Sequence, residues 1–448
     1  MLNLKKILEW LIYLFIFLLP WQTVFIIQER FINGYKWQGG SLVVFATEIL
    51  LWMILILQFI FLIKERKIFN FPVRNATHNV AGGQLSIFKA DKGKMFFVIA
   101  IWVFLAWSLV SIAWSWDKQV AFLSWFHLLE AVALFFVLAV NKINLKNICL
   151  VAVLSGIVQS ILAMWQFASQ IIHANKWLGI SEHLPYQIGA YVVQNSDGRW
   201  LRAYGSFAHP NILGGFLIIC FFCALFLYLQ HKGRIRILFL SCLLIISVGI
   251  FLSFSRGAWV ALIISYIFWA VMEARKRIKE KQEIRYLFAL SLALIFMIVS
   301  LAIIFQPLLL SRLSGTDRLE IKSNTQRVNS LKESWQIISS HESLGVGLGN
   351  YIPAIYAVKP NLPGWSYEPA HNVYLLVWAE LGGFGLIIFL TIYALIFLHS
   401  WRKNNYLFGA LVLCLGVTGL FDHYFWTQYV GLILWWLSWS FCVYLDEI

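Results

Sequence analysis

Apolar runs of about twenty residues recur along the whole chain, separated by polar connections that are mostly short. Each run matches the length an α-helix needs to cross hydrocarbon, roughly 20 residues at a rise of about 1.5 Å per residue. Because every backbone N–H and C=O in hydrocarbon must find a partner within its own segment, such runs have to be helical. They fall near residues 7–27, 41–63, 95–114, 119–140, 148–170, 211–231, 237–254, 257–273, 286–306, 371–400, 406–421 and 426–445. They predict an all-α polytopic membrane protein of about 12 transmembrane helices, with a large external loop containing short helices. With 60% hydrophobic and 12% charged residues, the chain lies well outside the composition of soluble domains.

The connections set the expected orientation, since lysine and arginine in short loops stay on the cytoplasmic side. Alternate connections hold Lys5 and Lys6, the basic stretch 64–94, Lys142 and Lys146, "KGRIR", "RKRIKEKQEIR", and Arg402 with Lys403. Together they carry 22 of the 35 basic residues, so both termini are expected in the cytoplasm. The net charge of +14 then reflects topology and attraction to anionic membrane lipid, not binding to nucleic acid. The first run is too long for a signal-peptide core and lacks a small-residue cleavage pattern, so it reads as a retained span. The sequon at Asn75 falls on the cytoplasmic side and carries no glycan expectation. Cys220 and Cys223 form a CxxC spacing inside an apolar run, where thiols act as small inert hydrophobes. No metal-ligand cluster and no cofactor motif is read from the sequence.

Two connections on the opposite side are long, 171–210 and 307–370, and polar chemistry collects there. In the second, Val328, Leu331, Trp335 and Ile338 recur at helical spacing, with Ser323, Asn324 and Thr325 available as caps. This predicts an amphipathic external helix with Arg327 beside its apolar stripe and turned toward the membrane body. The stretch "GVGLGNY" places three glycines at alternate positions. That fits a tight turn, a close backbone approach to a ligand such as a phosphate, or a flexible connector.

Three further polar points stand at external helix ends. "RAYGSFAHPN" brings Arg202, His209 and Asn211 to the sixth span, and "SFSRGAW" puts Arg256 at the hinge between the seventh and eighth. Pro369 presets the first turn of the tenth, with His371 among its unpaired amides. Each has a plain structural reading as well: Arg256 as a snorkelling anchor, His371 as a cap, Arg202 and His209 as loop fasteners. Against the anchor reading, an external arginine opposes the positive-inside bias. Glu48, Glu130 and Glu380 lie within apolar runs and should face the protein interior, to brace neighbouring helices or to line a path.

Guanidinium groups gathered at one membrane surface would repel unless an anion sat between them, and the guanidinium fork suits phosphate oxygens. A histidine at a helix N-terminus is kept neutral by the dipole and can accept a proton. An acceptor hydroxyl near His371 could be deprotonated as it attacks while arginines stabilise a departing diphosphate. Glycosyl transfer from a lipid diphosphate fits that layout.

"YGSFAHPNILGG", "SFSRGAW", "QRVNSLKESW" followed by "GVGLGNY", and "AHNVYLLVWAELGGFG" resemble, in that order, segments of the O-antigen ligase and polymerase superfamily. The resemblance covers roughly residues 200–425. It implies a metal-independent membrane glycosyltransferase that moves a glycan from an undecaprenyl (polyprenyl) diphosphate carrier to a glycan or lipid acceptor. The reaction would take place at the outer face of the cytoplasmic (inner) membrane. By position, the family's essential histidine corresponds to His371 and its diphosphate-binding arginines to Arg256 and Arg327. Arg202, His209, Asn211 and Glu380 remain as substrate-positioning residues. The chain then divides into N-terminal transmembrane helices over 1–200 and a ligase-like catalytic region over 201–448. A rival reading is a transporter or flippase of lipid-linked saccharides, for which "ELGGFG" would be a helix interruption. A metal-dependent lipid-sugar transferase is disfavoured by the single Glu29 in the first external loop.

Overall fold

A computed structural model describes residues 2–64, 92–141, 143–196 and 198–443, and most of the basic stretch 64–94 lies outside them. The apolar runs fold as helices: α1 (Leu2–Leu18), α2 (Ala46–Lys64), α3 (Lys92–Val110), α4 (Lys118–Asn141), α5 (Leu145–Ser169), α6 (Pro210–Gln230), α7 (Gly233–Leu252), α8 (Arg256–Lys276) and α9 (Lys281–Ile304). Between the spans lie α10 (Gln306–Ser314), α11 (Arg318–Ser340) and α12 (Tyr351–Val358). The last group is α13 (Val373–Arg402), α14 (Tyr406–Phe421), α15 (Tyr424–Thr427) and α16 (Tyr429–Val443).

Among the described residues, nine helices are long and apolar enough to cross a membrane, against the twelve expected. The difference lies in α1, α14 and α16, which are 17, 16 and 15 residues long. The first apolar run does not continue to residue 27, because Pro20 follows the end of α1. Val24–Gln28 (β1), rich in β-branched residues, then pairs antiparallel with Leu42–Phe45 (β4), shortening the second run as well. Phe31–Ile32 (β2) pairs with Tyr35–Lys36 (β3), and Val192–Asn195 (β5) with Gly198–Leu201 (β6). The described residues are therefore mostly helical with three small two-stranded sheets, rather than purely α.

α6 forms the centre. Nearly all its residues are buried, among them Leu213, Leu217, Phe222 and Leu225, as expected of a helix that is apolar all round. It packs on α5, α7, α8 and α14. Small residues allow the close approaches: a Cβ on Gly156 of α5 would come within 2.7 Å of the Cys220 side chain. All six cysteines are free and buried.

α13 is broken at Gly382, whose φ of 69° and ψ of −179° depart from helix. The break frees backbone groups that the "GVGLGNY" segment satisfies. Val346 and Gly347 donate their amides to the carbonyls of Ala379 and Glu380 at 2.9 and 2.8 Å, and Gly383 donates to Glu342 at 2.7 Å. A Cβ on Gly382 would stand 2.0 Å from the Ser343 carbonyl oxygen, and one on Gly347 2.0 Å from Ser115 Oγ. The tight turn and close backbone approach open to these glycines thus exist, and the atoms they approach belong to Ser115, Ser124 and the α13 backbone.

Candidate functional site

The long segment between α9 and α13 folds back on the end of the bundle where α6, α8 and α13 begin. Helix α11 starts at Arg318 behind Asp317, so Ser323, Asn324 and Thr325 sit inside it and do not cap it. Its inward face is also not the expected stripe. Of that stripe Val328, Leu331 and Trp335 are exposed and Ile338 is buried, together with Glu320, Ser330, Ser334 and Ile337. Arg327 does turn inward, on that polar face. Glu320, Asn324 and Arg327 follow at i, i+4 and i+7, one side of the helix.

Arg256, the first residue of α8, meets this face. It donates to Asn324 Oδ1 at 3.0 Å and to the Arg312 carbonyl at 3.3 Å, and it pairs with Glu320 at 3.2 Å. Arg312 also pairs with Glu320, and its Nε donates to the Phe254 carbonyl at 3.1 Å. The "SFSR" hinge turns at Phe254 itself, in the left-handed region with φ 48°. Its exposed carbonyls are taken by guanidinium groups: Arg312 holds that of Phe254, and Arg202 Nε that of Ser253 at 2.8 Å. Arg202 is buried and donates again to Asn211 Oδ1 at 2.5 Å. It is held by the protein on both sides and fastens the hinge to the start of α6.

Asn211 passes this network on by donating to the Asp422 carboxylate. Asp422 and His423 form the short connection between α14 and α15, and three imidazoles surround the carboxylate. His209 caps α6, its Nδ1 accepting from the Asn211 amide at 2.9 Å. His423 donates its amide to Asp422 Oδ1 at 2.9 Å, and its ring meets that of His371 edge-on at 5.2 Å. His371 does not lie in the first helical turn as the proline suggested. Asn372 is the cap of α13, its Oδ1 accepting from the Leu375 amide at 3.0 Å, and His371 stands just before it.

The electrostatics follow from burial and proximity. Burial, with Arg327 adding to it and Asp422 opposing, holds the His371 imidazole below its usual value. The same causes, led by burial, push His423 down to about 4. Burial raises the Asp422 carboxyl, but the imidazoles of His423, His371 and His209 outweigh it and leave the group below the ordinary range. Burial and the neighbouring Arg256 lower Arg327, against the pull of Asp422. Two polar atoms at the junction are buried without a hydrogen-bond partner, Arg327 Nε and His371 Nδ1. Four guanidinium groups, of Arg202, Arg256, Arg312 and Arg327, lie within electrostatic reach of two carboxylates, Glu320 and Asp422. The cluster is thus short of negative charge, the condition under which an anion binds.

The structure brings Arg202, His209, Asn211, Arg256, Arg327 and His371 into this one network. Glu380 stands apart from the arginines. It is buried, accepts from Trp426 Nε1 at 2.8 Å and from the amides of Gly349 and Tyr351, and lines a cleft of about 450 Å³ next to the cluster. His423 lies on the wall between the two. Asp422, His423, Arg312 and Glu320 were not singled out from the sequence. The signal for the first two was present in "FDHYF", an acid and an imidazole in a short connection on the same side. Arg312 and Glu320 carry no local signal, since only the fold of the 307–370 segment makes them neighbours.

The expectation of no metal-ligand cluster meets one candidate group, formed by residues far apart in sequence. Glu48 on α2 and His127 and Glu130 on α4 offer ligand atoms that all lie within 4.8 Å of one another. Glu48 Oε1 is 3.6 Å from His127 Nε2, while Trp52 Nε1 donates to Glu130 Oε1. One imidazole and two carboxylates could hold a divalent cation, a grouping that no local spacing announces.

Membrane-length helices, with a cluster of four guanidinium groups around two carboxylates at one end of the bundle, describe a multi-pass membrane protein with surplus positive charge at that end. Residues 241–390, which include Arg256, Arg327 and His371, match the model of the O-antigen ligase family. That match supports membrane glycan transfer of the ligase or polymerase type as the general activity. No curated protein matches the chain.

Proposed function

We propose that the protein transfers a glycan from a polyprenyl diphosphate carrier, undecaprenyl diphosphate in the bacterial case, to an acceptor hydroxyl at the outer face of the cytoplasmic membrane. It would act as an O-antigen ligase or a polysaccharide polymerase. The observation that carries this reading is the junction of Arg327 and His371, each with a buried, unpartnered nitrogen, inside a cluster with surplus positive charge.

In this reading the diphosphate lies against Arg327 and Arg256, its charge filling the deficit of the cluster, and the lipid tail runs along the apolar helices. His371, kept neutral by burial, takes the proton of the acceptor hydroxyl. The acceptor oxygen bonds to the anomeric carbon as the carbon–oxygen bond to phosphate breaks. The polyprenyl diphosphate leaves with that electron pair, its developing charge met by the arginines. Arg202, His209 and Asn211 act by holding the hinge, the start of α6 and Asp422 in place. No step in this scheme calls on a metal ion.

The transporter reading has one observation in its favour, the break of α13 at Gly382. That break is stitched to the 345–349 loop by backbone hydrogen bonds, however, and a gate would have to sever them. Purified protein in detergent, given a polyprenyl diphosphate glycan and membrane-derived acceptors with a chelator present, separates the two. Release of the lipid diphosphate with glycan transfer supports the enzyme. Passage across liposomes without bond cleavage supports transport.

A further inference from the structure

The cleft beside the cluster has a chemistry of its own. It opens between the turn at 36–39, the segment 364–369 and the start of α16, and its wall includes Trp37, Trp365, Tyr367, Glu368, His423 and Gln428. No arginine of the cluster lines it. Flat aromatic faces alternate with hydrogen-bonding side chains, the combination that suits a ligand with an apolar ring face and a rim of hydroxyls. Trp365 is 57% exposed yet held in orientation, its ring meeting Tyr35 edge-on at 4.4 Å. A volume of about 450 Å³ is that of a small-ligand site.

Resting on the transfer reading above, we propose that this cleft seats the saccharide of the acceptor. Three observations favour the acceptor over the donor. The cleft lacks the guanidinium groups a diphosphate needs. His423 is shared between the cleft wall and the cluster, with its ring 5.2 Å from that of His371, so a sugar in the cleft presents hydroxyls toward the proposed base. Much of the wall, including Trp37, His127, His423 and Gln428, lies outside the stretch 241–390 that matches the family. The proposed diphosphate seat of Arg256 and Arg327 falls within that stretch, whereas this second seat combines residues inside it, Trp365 and Tyr367 among them, with residues outside it.

The test uses the full-length protein in detergent and, as probe, the surface glycan released by mild acid from the cells that make it. Glycan binding is followed by intrinsic tryptophan fluorescence and by calorimetry. Wild type should bind. Trp365→Ala, at an exposed position that leaves folding intact, should weaken binding about tenfold, and Gln428→Ala should weaken it less. In the transfer assay Trp365→Ala should raise the acceptor KM about tenfold while kcat and the donor KM hold. Equal binding by wild type, Trp365→Ala and Trp37→Ala, or no binding by wild type, would overturn the assignment. Glycan binding that depends on Trp365 in a protein that cleaves no lipid diphosphate would sink the transferase reading and leave the cleft assignment standing.

Discussion

The arginine cluster and the aromatic cleft meet at the His371–His423 pair and are built on opposite terms. In the cluster, guanidinium groups grip backbone carbonyls and carboxylates, so the hinge before α8, the face of α11 and the start of α6 hold one another in place. In the cleft, exposed Trp365 and the turn at 36–39 present aromatic and hydrogen-bonding side chains without guanidinium groups. The difference teaches where change is tolerated. Altering the cluster disturbs charge balance and several elements at once, whereas altering the exposed wall of the cleft at Trp365 changes chiefly what fits.

The largest expected effect falls at the junction. His371→Ala should lower transfer by about 10²–10⁴-fold, the range of a lost general base, while donor binding, measured with labelled carrier, stays near wild type. Loss of donor binding instead would move His371 into the anion seat and blur the division between the regions. Arg327→Lys keeps the charge but not the fork, so transfer should fall about 10- to 100-fold, with donor KM affected more than acceptor KM. A larger effect on the acceptor would reverse the assignment of the two seats.

Below the two seats, the joint between α13 and the 345–349 loop supports both. Gly382→Ala puts a Cβ 2.0 Å from the Ser343 carbonyl oxygen at a φ of 69°. It should cost on the order of 3 kcal/mol of stability, read as a drop in the melting temperature in detergent. A variant as stable as wild type would mean the break is a hinge and would revive the transporter reading.

The pH profile gives a gentler test. Burial holds the His371 imidazole below its ordinary 6.5, and the proposed mechanism uses its neutral form. Activity should therefore stay level as pH falls through 6.5 and decline only further down, about tenfold per pH unit once the imidazole titrates. An acid limb in kcat/KM at or above 6.5 would show that burial and Arg327 do not set its protonation.

How much of this was legible in the sequence depended on range. Arg256, Arg327 and His371 could be placed at one end of the bundle because span topology sorts residues without knowledge of packing. The apolar run 7–27 misled because hydropathy does not distinguish a helix from an apolar strand such as Val24–Gln28. In α11 the stripe of Val328, Leu331 and Trp335 has the right period, yet the face turned inward is the one whose Glu320 and Asn324 meet arginines on α8 and α10. Ion pairing between distant segments outranked local amphipathicity. Glu48, His127 and Glu130 were unreadable as a group for the same reason: two helices had to pack before the three could meet.

Glu380 should give the smallest effect and the finest test of the boundary between the regions. Its position in the cleft wall suggests a substrate contact, but its side chain is 2% exposed and already accepts from Trp426 Nε1 and two backbone amides. Glu380→Gln keeps an oxygen for those donors and removes a charge buried away from any arginine. Stability should change by less than about 1 kcal/mol and transfer by no more than about threefold. Trp426→Phe, which leaves the carboxylate without its indole donor, should destabilise by about 1–3 kcal/mol. If Glu380→Gln instead lowers transfer by tenfold or more at unchanged melting temperature, the carboxylate touches substrate. The cleft would then reach past its aromatic wall into the core of α13.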